Sequence, residues 1–298
     1  MLWRLALLAA MLTASLAYAG DVHRETVRYT HPDGKDLKGS LFLPKEASAE
    51  ARPAILLIHG SGWRIGTRHL VHWYAREFAK NGYVALAINY RKMPDYPYPH
   101  CVHDAKAAVR WLRLNAEKYG IDPERIGVFG NSAGGNLAGF LAATDPEDGL
   151  EGEENPGPSS AVKAAVVLYG AMDMSLYADP KKNRWINKSG RRYMLELVGA
   201  KNADDLKAFA GASPITYVTP ETAPTLLIHG TTDFVVKPEH ANRYEAKLKE
   251  CGVPTNLIWV EHGWHGFDYL HHRKRAKLFK DMLAWFDQYL RDGAVIGQ

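Results

Sequence analysis

The sequence predicts an α/β fold: one doubly wound, mostly parallel eight-stranded sheet with helices on both faces and a small inserted cap. Three observations carry that expectation. Short, nearly continuous apolar runs recur along the chain, as in strands buried on both faces. Stretches of helical periodicity separate most of those runs. One interval, between Gly170 and Thr225, is far too long for an ordinary crossover.

Taken in order, "ETVRYT" and "KGSLFLP" read as an opening antiparallel pair, polar on one side. The apolar runs follow: "AILLIHG" (54–60), "YVALAINY" (83–90), "RIGVFG" (125–130), "VKAAVVLYG" (162–170), "TLLIHG" (225–230) and "NLIWV" (256–260). Helical patterns such as "CVHDAKAAVRWLRLNAEKYG" and "PEHANRYEAKLKECG" lie between them. Within the long interval, "RYMLELVG" and "ADDLKAFA" read as short helices of a cap over about 171–213. No repeat, low-complexity tract or linker divides the rest, so residues 20–298 are expected to form one domain.

Composition supports a globular chain, and the first residues one that leaves the cytoplasm. Its 298 residues are 46% hydrophobic and 23% charged, enough to bury a sizeable core. The formal charge of +4 is mild, and no basic run is interleaved with aromatics, so no nucleic-acid partner is expected. "MLWRLALLAAMLTASLAYAG" has an early cation at Arg4, an apolar run and a small-x-small end at Ala17-Tyr18-Ala19. That pattern predicts a signal peptide over 1–19 and a secreted or periplasmic product. The run is too short to span a bilayer, which takes about 20 residues, so no stable membrane insertion is expected. Export makes a Cys101–Cys251 disulfide conceivable, but a core this large needs no staple and both residues border predicted helices. No Cys/His cluster has zinc-ligand spacing, and neither a metal nor another cofactor is expected.

The chemistry centres on "GNSAGG". Ser132 follows one strand directly and opens a helix, at the carboxyl edge of the sheet where open α/β folds gather reactive groups. A turn that sharp needs small residues two positions to each side, which Gly130 and Gly134 supply. Ser132 is therefore the candidate nucleophile. A serine hydroxyl needs a base, and the base an orienting acid. "EHGWHGFDYL" after the last strand offers His262 and His265; His265 has more residues in which to curl back and is preferred. The acid is expected one strand earlier, at Asp233 in "TLLIHGTTDF", with Asp173 as the alternative. "IHGSGW" places Ser61 and Gly62 at another strand end. Their amides, with that of Ala133, form a candidate oxyanion hole.

The motifs "IHGSGW", "INYR", "HDAKAAVRWLRLNAEKYGIDPERIGVFGNSAGGNLA", "ASPITYV", "LLIHGTTDFVV" and "HGF" resemble the α/β-hydrolase-fold esterases near the hormone-sensitive-lipase group. They are especially similar to the secreted bifunctional acetylxylan and feruloyl esterases. The resemblance runs from about Val27 to the C-terminus. It implies Ser132, Asp233 and His265 as the triad and esters of short acyl or hydroxycinnamoyl groups as substrates, on a small molecule or an acylated plant polysaccharide. Its motifs specify the superfamily more than a substrate, and they are silent on oligomeric state. One departure is visible: the family's H-G-G-G commonly has a glycine where Ser61 stands. Asp104 resembles a position usually acidic in the family, and reads as a helix N-terminal acid that favours the dipole.

Trp63 and Trp264 are the candidate substrate-lining aromatics, with Tyr96, Tyr98 and Trp185 as further possibilities against plain core packing. The basic run "KKNRWINKSGRR" in the cap reads as a solvated face. A serine carboxylic-ester hydrolase is the leading expectation. The alternatives are a peptidase or amidase with the same triad, and a non-catalytic binding protein on a hydrolase scaffold.

Overall fold

A computed structural model describes residues 22–46, 48, 50–178, 188–270 and 272–291. The predicted signal peptide, Trp185 and most of the basic run lie outside the described residues.

Eight strands form one sheet: β1 (Val22–Thr30), β2 (Leu37–Pro44), β3 (Arg52–Ile58), β4 (Val84–Ile88), β5 (Ile121–Asn131), β6 (Ala164–Leu168), β7 (Thr225–Gly230) and β8 (Thr255–Val260). Their spatial order is β1-β2-β4-β3-β5-β6-β7-β8. The β1–β2 and β2–β4 pairs are antiparallel, and every other pair is parallel. The apolar runs are legible in the sequence because most strands are buried on both faces; β3 and β4 are almost wholly inaccessible.

Helices α1 (His72–Lys80), α2 (His100–Leu114), α3 (Ala116–Tyr119), α4 (Ala133–Ala143), α5 (Ser175–Ala178), α6 (Lys188–Val198), α7 (Leu206–Gly211), α8 (Glu239–Glu250), α9 (Phe267–Leu270) and α10 (His272–Leu290) fill the connections. Strand alternation divides the core in two. Leu56, Ile58, Val128 and Leu227 pack with Val102 and Val109 of α2, Leu137 of α4 and Tyr244 of α8. Ile55, Leu57, Phe129 and Val166 face the other way, onto Tyr74 and Phe78 of α1 and Phe279 and Phe286 of α10.

Register aligns the reactive edge. Ile58 pairs with Gly130, Asn131 with Leu168, Leu168 with Ile228, and Gly230 with Val260. The carboxyl ends of β3, β5, β6, β7 and β8 therefore finish side by side, and the loops beyond them converge. Helices α5, α6 and α7 occupy the long interval between β6 and β7.

One sequence-based expectation changes here. Asp104 is not a first-turn acid: α2 starts at His100, and Asp104 is wholly buried. Its carboxylate accepts the Arg91 backbone N–H at 2.7 Å and pairs with the Arg91 guanidinium at 2.7 Å. Burial pushes its pKa up, while Arg91 opposes that shift. Removing one partner of such a pair leaves an uncompensated buried charge. The cysteines are both free, Cys101 buried and Cys251 half-buried. Burial raises the Cys101 thiol to about 12, so it is a protonated, inert core residue.

Candidate active site

Ser132 sits between β5 and α4 with φ 54° and ψ −121°, a backbone conformation that side-chain-bearing residues rarely adopt. Its neighbours explain how the chain reaches it. A Cβ on Gly130 would lie 2.0 Å from the carbonyl oxygen of Gly134, and one on Gly134 would lie 2.1 Å from that of Ile58. Both are far inside any real carbon–oxygen contact, so only glycine lets the strand, the turn and the helix approach this closely. The Ser132 N–H donates to the Leu168 carbonyl at 2.9 Å, which ties the turn to β6.

The loops after β7 and β8 bring two further side chains to the hydroxyl. His265 Nδ1 donates to Asp233 Oδ2 at 2.7 Å, and Ser132 Oγ then donates to the remaining ring lone pair, Nε2, at 2.9 Å. Asp233 is held on its other oxygen: Oδ1 accepts the Val235 and Val236 backbone N–H groups, each at 2.9 Å. The side chain of Asp233 is fully buried, whereas that of His265 is 18% exposed. Behind the pair, His229 is kept neutral by burial, and its Nε2–H donates to the Val236 carbonyl at 2.8 Å. That bond braces the amides gripping Asp233.

The alternatives named from sequence stand apart. His262 is 85% exposed and its nearest charged partner is Glu261 at 3.8 Å. Asp173 is engaged by Arg243 at 3.0 Å and by the Ser175 backbone N–H at 3.0 Å.

The turn after β3 closes the other side. Ser61, Gly62 and Trp63 have φ of 90°, 63° and 56°, three consecutive residues in the left-handed region. Several contacts hold this turn. Gly60 N–H donates to Asn131 Oδ1 at 2.9 Å, Met93 N–H donates to the Trp63 carbonyl at 2.9 Å, and the Tyr193 hydroxyl from α6 donates to the Gly62 carbonyl. His59 lies beneath, stacked on Tyr90 with ring centroids 4.6 Å apart; burial lowers its pKa to about 4 and keeps it neutral. The N–H groups of Ser61, Gly62 and Ala133 take no acceptor among the described residues. Three unspent backbone donors beside a serine hydroxyl can receive an oxyanion.

Ser61, Gly62, Ser132 and His265 line one cavity of about 590 Å³, with Leu70, Tyr177, Met194, Val235 and Val236 supplying apolar wall. Trp63 lines it and is 6% exposed. Trp264, expected beside it, does not line it: the turn that carries His265 inward leaves Trp264 facing solvent, 41% exposed. Tyr98 packs in the core against Phe140 at 5.5 Å, and Tyr96 lies beside Lys35 and Arg91.

Sequence reasoning missed Asn131. Its amide orientation is fixed, because Oδ1 must accept from Gly60. Nδ2 therefore donates to the Tyr269 hydroxyl at 2.7 Å and the Tyr169 hydroxyl at 3.2 Å. Tyr169 donates in turn to the buried Asp268, which also accepts from Tyr74 at 2.8 Å. Asn131 occupies the variable position of the serine motif, so nothing local marks it. Tyr269 lies in α9, 138 positions from Asn131, and no local pattern marks it either.

The BD-FAE family model matches residues 40–248, well over half of the chain. The chain belongs to the BD-FAE family. The matched stretch of this BD-FAE chain holds Ser61, Gly62, Ser132 and Asp233 and stops short of His265. The chain is 31% identical over 256 residues to esterase LipC of Mycobacterium tuberculosis, covering 84% of this chain and 61% of LipC. The chain spans between half and about three-fifths of the length of the curated mycobacterial relatives it matches. Among solved structures, the esterase Est2 of Thermogutta terrifontis superposes with a TM-score of 0.74 at 26% identity, over 91% of this chain and 95% of that one. A truncated carbohydrate esterase from gut microbiota gives 0.72 at 26% identity, over 90% and 95%. These neighbours and the sheet topology make the fold that of an α/β-hydrolase.

Proposed function

We propose that this protein is a serine carboxylic-ester hydrolase. One observation carries the reading: an unbroken hydrogen-bonded run from Ser132 through His265 to Asp233 at the base of a cavity that also presents unspent amides. In this reading Ser132 Oγ attacks the ester carbonyl carbon while His265 Nε2 takes its proton. The carbonyl oxygen gains the negative charge and is met by the amides of Ser61, Gly62 and Ala133. Asp233 keeps the Nδ1–H tautomer and stabilises the imidazolium. The carbon–alkoxy bond breaks, His265 returns the proton to the departing alcohol, and a water repeats the sequence on the acyl-serine.

Short acyl or hydroxycinnamoyl esters of plant polysaccharide are the proposed substrates, with Trp63 against the substrate and export to the periplasm or medium. Several findings support this choice. Membership of the BD-FAE family and the likeness to a gut carbohydrate esterase agree with it, and Est2 has been solved with butyrate and with propionate. The leader-like first 19 residues suit an extracellular polymer.

The test compares wild type and Ser132→Ala on 4-nitrophenyl acetate, acetylated xylan and methyl ferulate. The expected result is hydrolysis by wild type and its loss in the variant. A wild type inert on all three, or a variant as active as wild type, refutes the proposal.

A further inference from the structure

We infer that Tyr269 is a specificity residue whose hydroxyl donates a hydrogen bond to an acceptor oxygen on the alcohol half of the substrate. The inference rests on the ester-hydrolase reading and adds to it a substrate class: esters whose alcohol carries a further ether or hydroxyl oxygen near the scissile bond.

The ground is a count of protons among the tyrosines of the cavity. Tyr177 donates to the Val235 carbonyl, Tyr193 to the Gly62 carbonyl and Tyr169 to Asp268. Tyr269 lines the same cavity and differs. It is an acceptor, taking the Asn131 amide at 2.7 Å, and its own proton has no acceptor among the described residues. The direction of that bond is not free to reverse, since Gly60 N–H demands Asn131 Oδ1 and leaves only Nδ2 for the tyrosines. Asn131 thus aims the Tyr269 oxygen and leaves its hydrogen unspent. Burial pushes the phenol up to about 12, so it stays protonated at neutral pH.

Position selects the half of the substrate it meets. His265 must return a proton to the alkoxy oxygen, so the alcohol leaves on the side of the His265 loop. The carbonyl oxygen points instead to the amides of Ser61, Gly62 and Ala133. Tyr269 lies in the short helix α9, four residues after His265, and is 38% exposed at the cavity wall. Where the other tyrosine hydroxyls of the cavity are already spent, a pre-aimed donor discriminates by leaving an unpaired polar group whenever the substrate lacks the matching oxygen.

The experiment crosses two enzymes with two substrates of equal length, n-butyl acetate and 2-methoxyethyl acetate, which differ by one ether oxygen in place of a methylene. kcat/KM is measured by pH-stat for wild type and Tyr269→Phe. The methoxyethyl-to-butyl ratio is then compared between the two enzymes, which cancels the difference in leaving ability. The ratio is expected to fall about three- to tenfold in Tyr269→Phe, the worth of one neutral hydrogen bond. An unchanged ratio overturns the inference, whether Tyr269→Phe is fully active or weakened equally on both esters; should Tyr269→Phe act on neither, 2-methoxyethanol inhibiting wild type no better than n-butanol overturns it. If wild type hydrolyses neither acetate nor 4-nitrophenyl acetate, the ester-hydrolase reading itself has failed.

Discussion

Replacing Asp233 with Asn probes the site more sharply than deleting it, because the structure dictates how the new amide must sit. Asp233 Oδ1 accepts two backbone N–H groups, from Val235 and Val236, at 2.9 Å each. An NH2 group cannot accept them, so the oxygen of the substituted amide is forced onto that side and its NH2 faces His265. The Nδ1 position, 2.7 Å away in the native protein, must then become the acceptor and its proton must move to Nε2. Nε2 now carries a hydrogen where it needs a lone pair, and Ser132 Oγ loses its base. The wrong tautomer in a serine triad costs on the order of 10⁴ in kcat, about 5.4 kcal/mol at 1.36 kcal/mol per tenfold. The volume is unchanged and the backbone bonds persist, so thermal unfolding should shift little. Purified Asp233→Asn assayed on 4-nitrophenyl acetate is predicted to lose kcat by about that factor with a much smaller change in KM. A loss below tenfold, in a variant that melts normally, refutes the assignment of Asp233 as the orienting acid.

The two histidines are predicted to separate cleanly. His265→Ala removes the base and should approach the roughly millionfold loss typical of triad knockouts, whereas the exposed His262→Ala should stay close to wild type; the reverse ranking in kcat would transfer the base to His262. Ser61→Gly should keep kcat within about threefold, because the donor it offers is a backbone N–H and glycine suits its φ of 90°. A hundredfold loss would mean that the Ser61 hydroxyl takes part. Along a series of 4-nitrophenyl esters, kcat/KM should be highest for acetyl and propionyl and fall steeply by octanoyl. A lipid tunnel would instead add about 0.8 kcal/mol of binding per buried methylene, so a maximum at octanoyl or beyond contradicts the short-acyl assignment.

Much of this architecture could be read from residues alone, for identifiable reasons. Strands such as Arg52–Ile58 and Val84–Ile88 are inaccessible on both faces, so their sequences are apolar almost without interruption. Gly130 and Gly134 are legible because the packing of the turn leaves no room for a Cβ. What escaped was set by contacts distant in sequence. Asn131 meets Gly60 across 71 positions and Tyr269 across 138, and no local pattern encodes either. Asp104 looked like a helix-end acid because the start of α2 and the approach of Arg91 from beyond β4 are tertiary facts. Trp264 was placed by proximity in sequence to His265, yet adjacent residues in a tight turn need not share a face.

The nucleophile assignment is tested most directly by covalent capture. Wild-type protein incubated with diethyl 4-nitrophenyl phosphate should release one equivalent of 4-nitrophenolate per chain as ester hydrolysis is lost. Peptide mass mapping should find a single diethylphosphoryl adduct, on Ser132 in the peptide containing "GNSAGG", and Ser132→Ala should take up none. Capture at another residue with loss of activity, or full activity after stoichiometric release without an adduct on Ser132, would contradict the assignment.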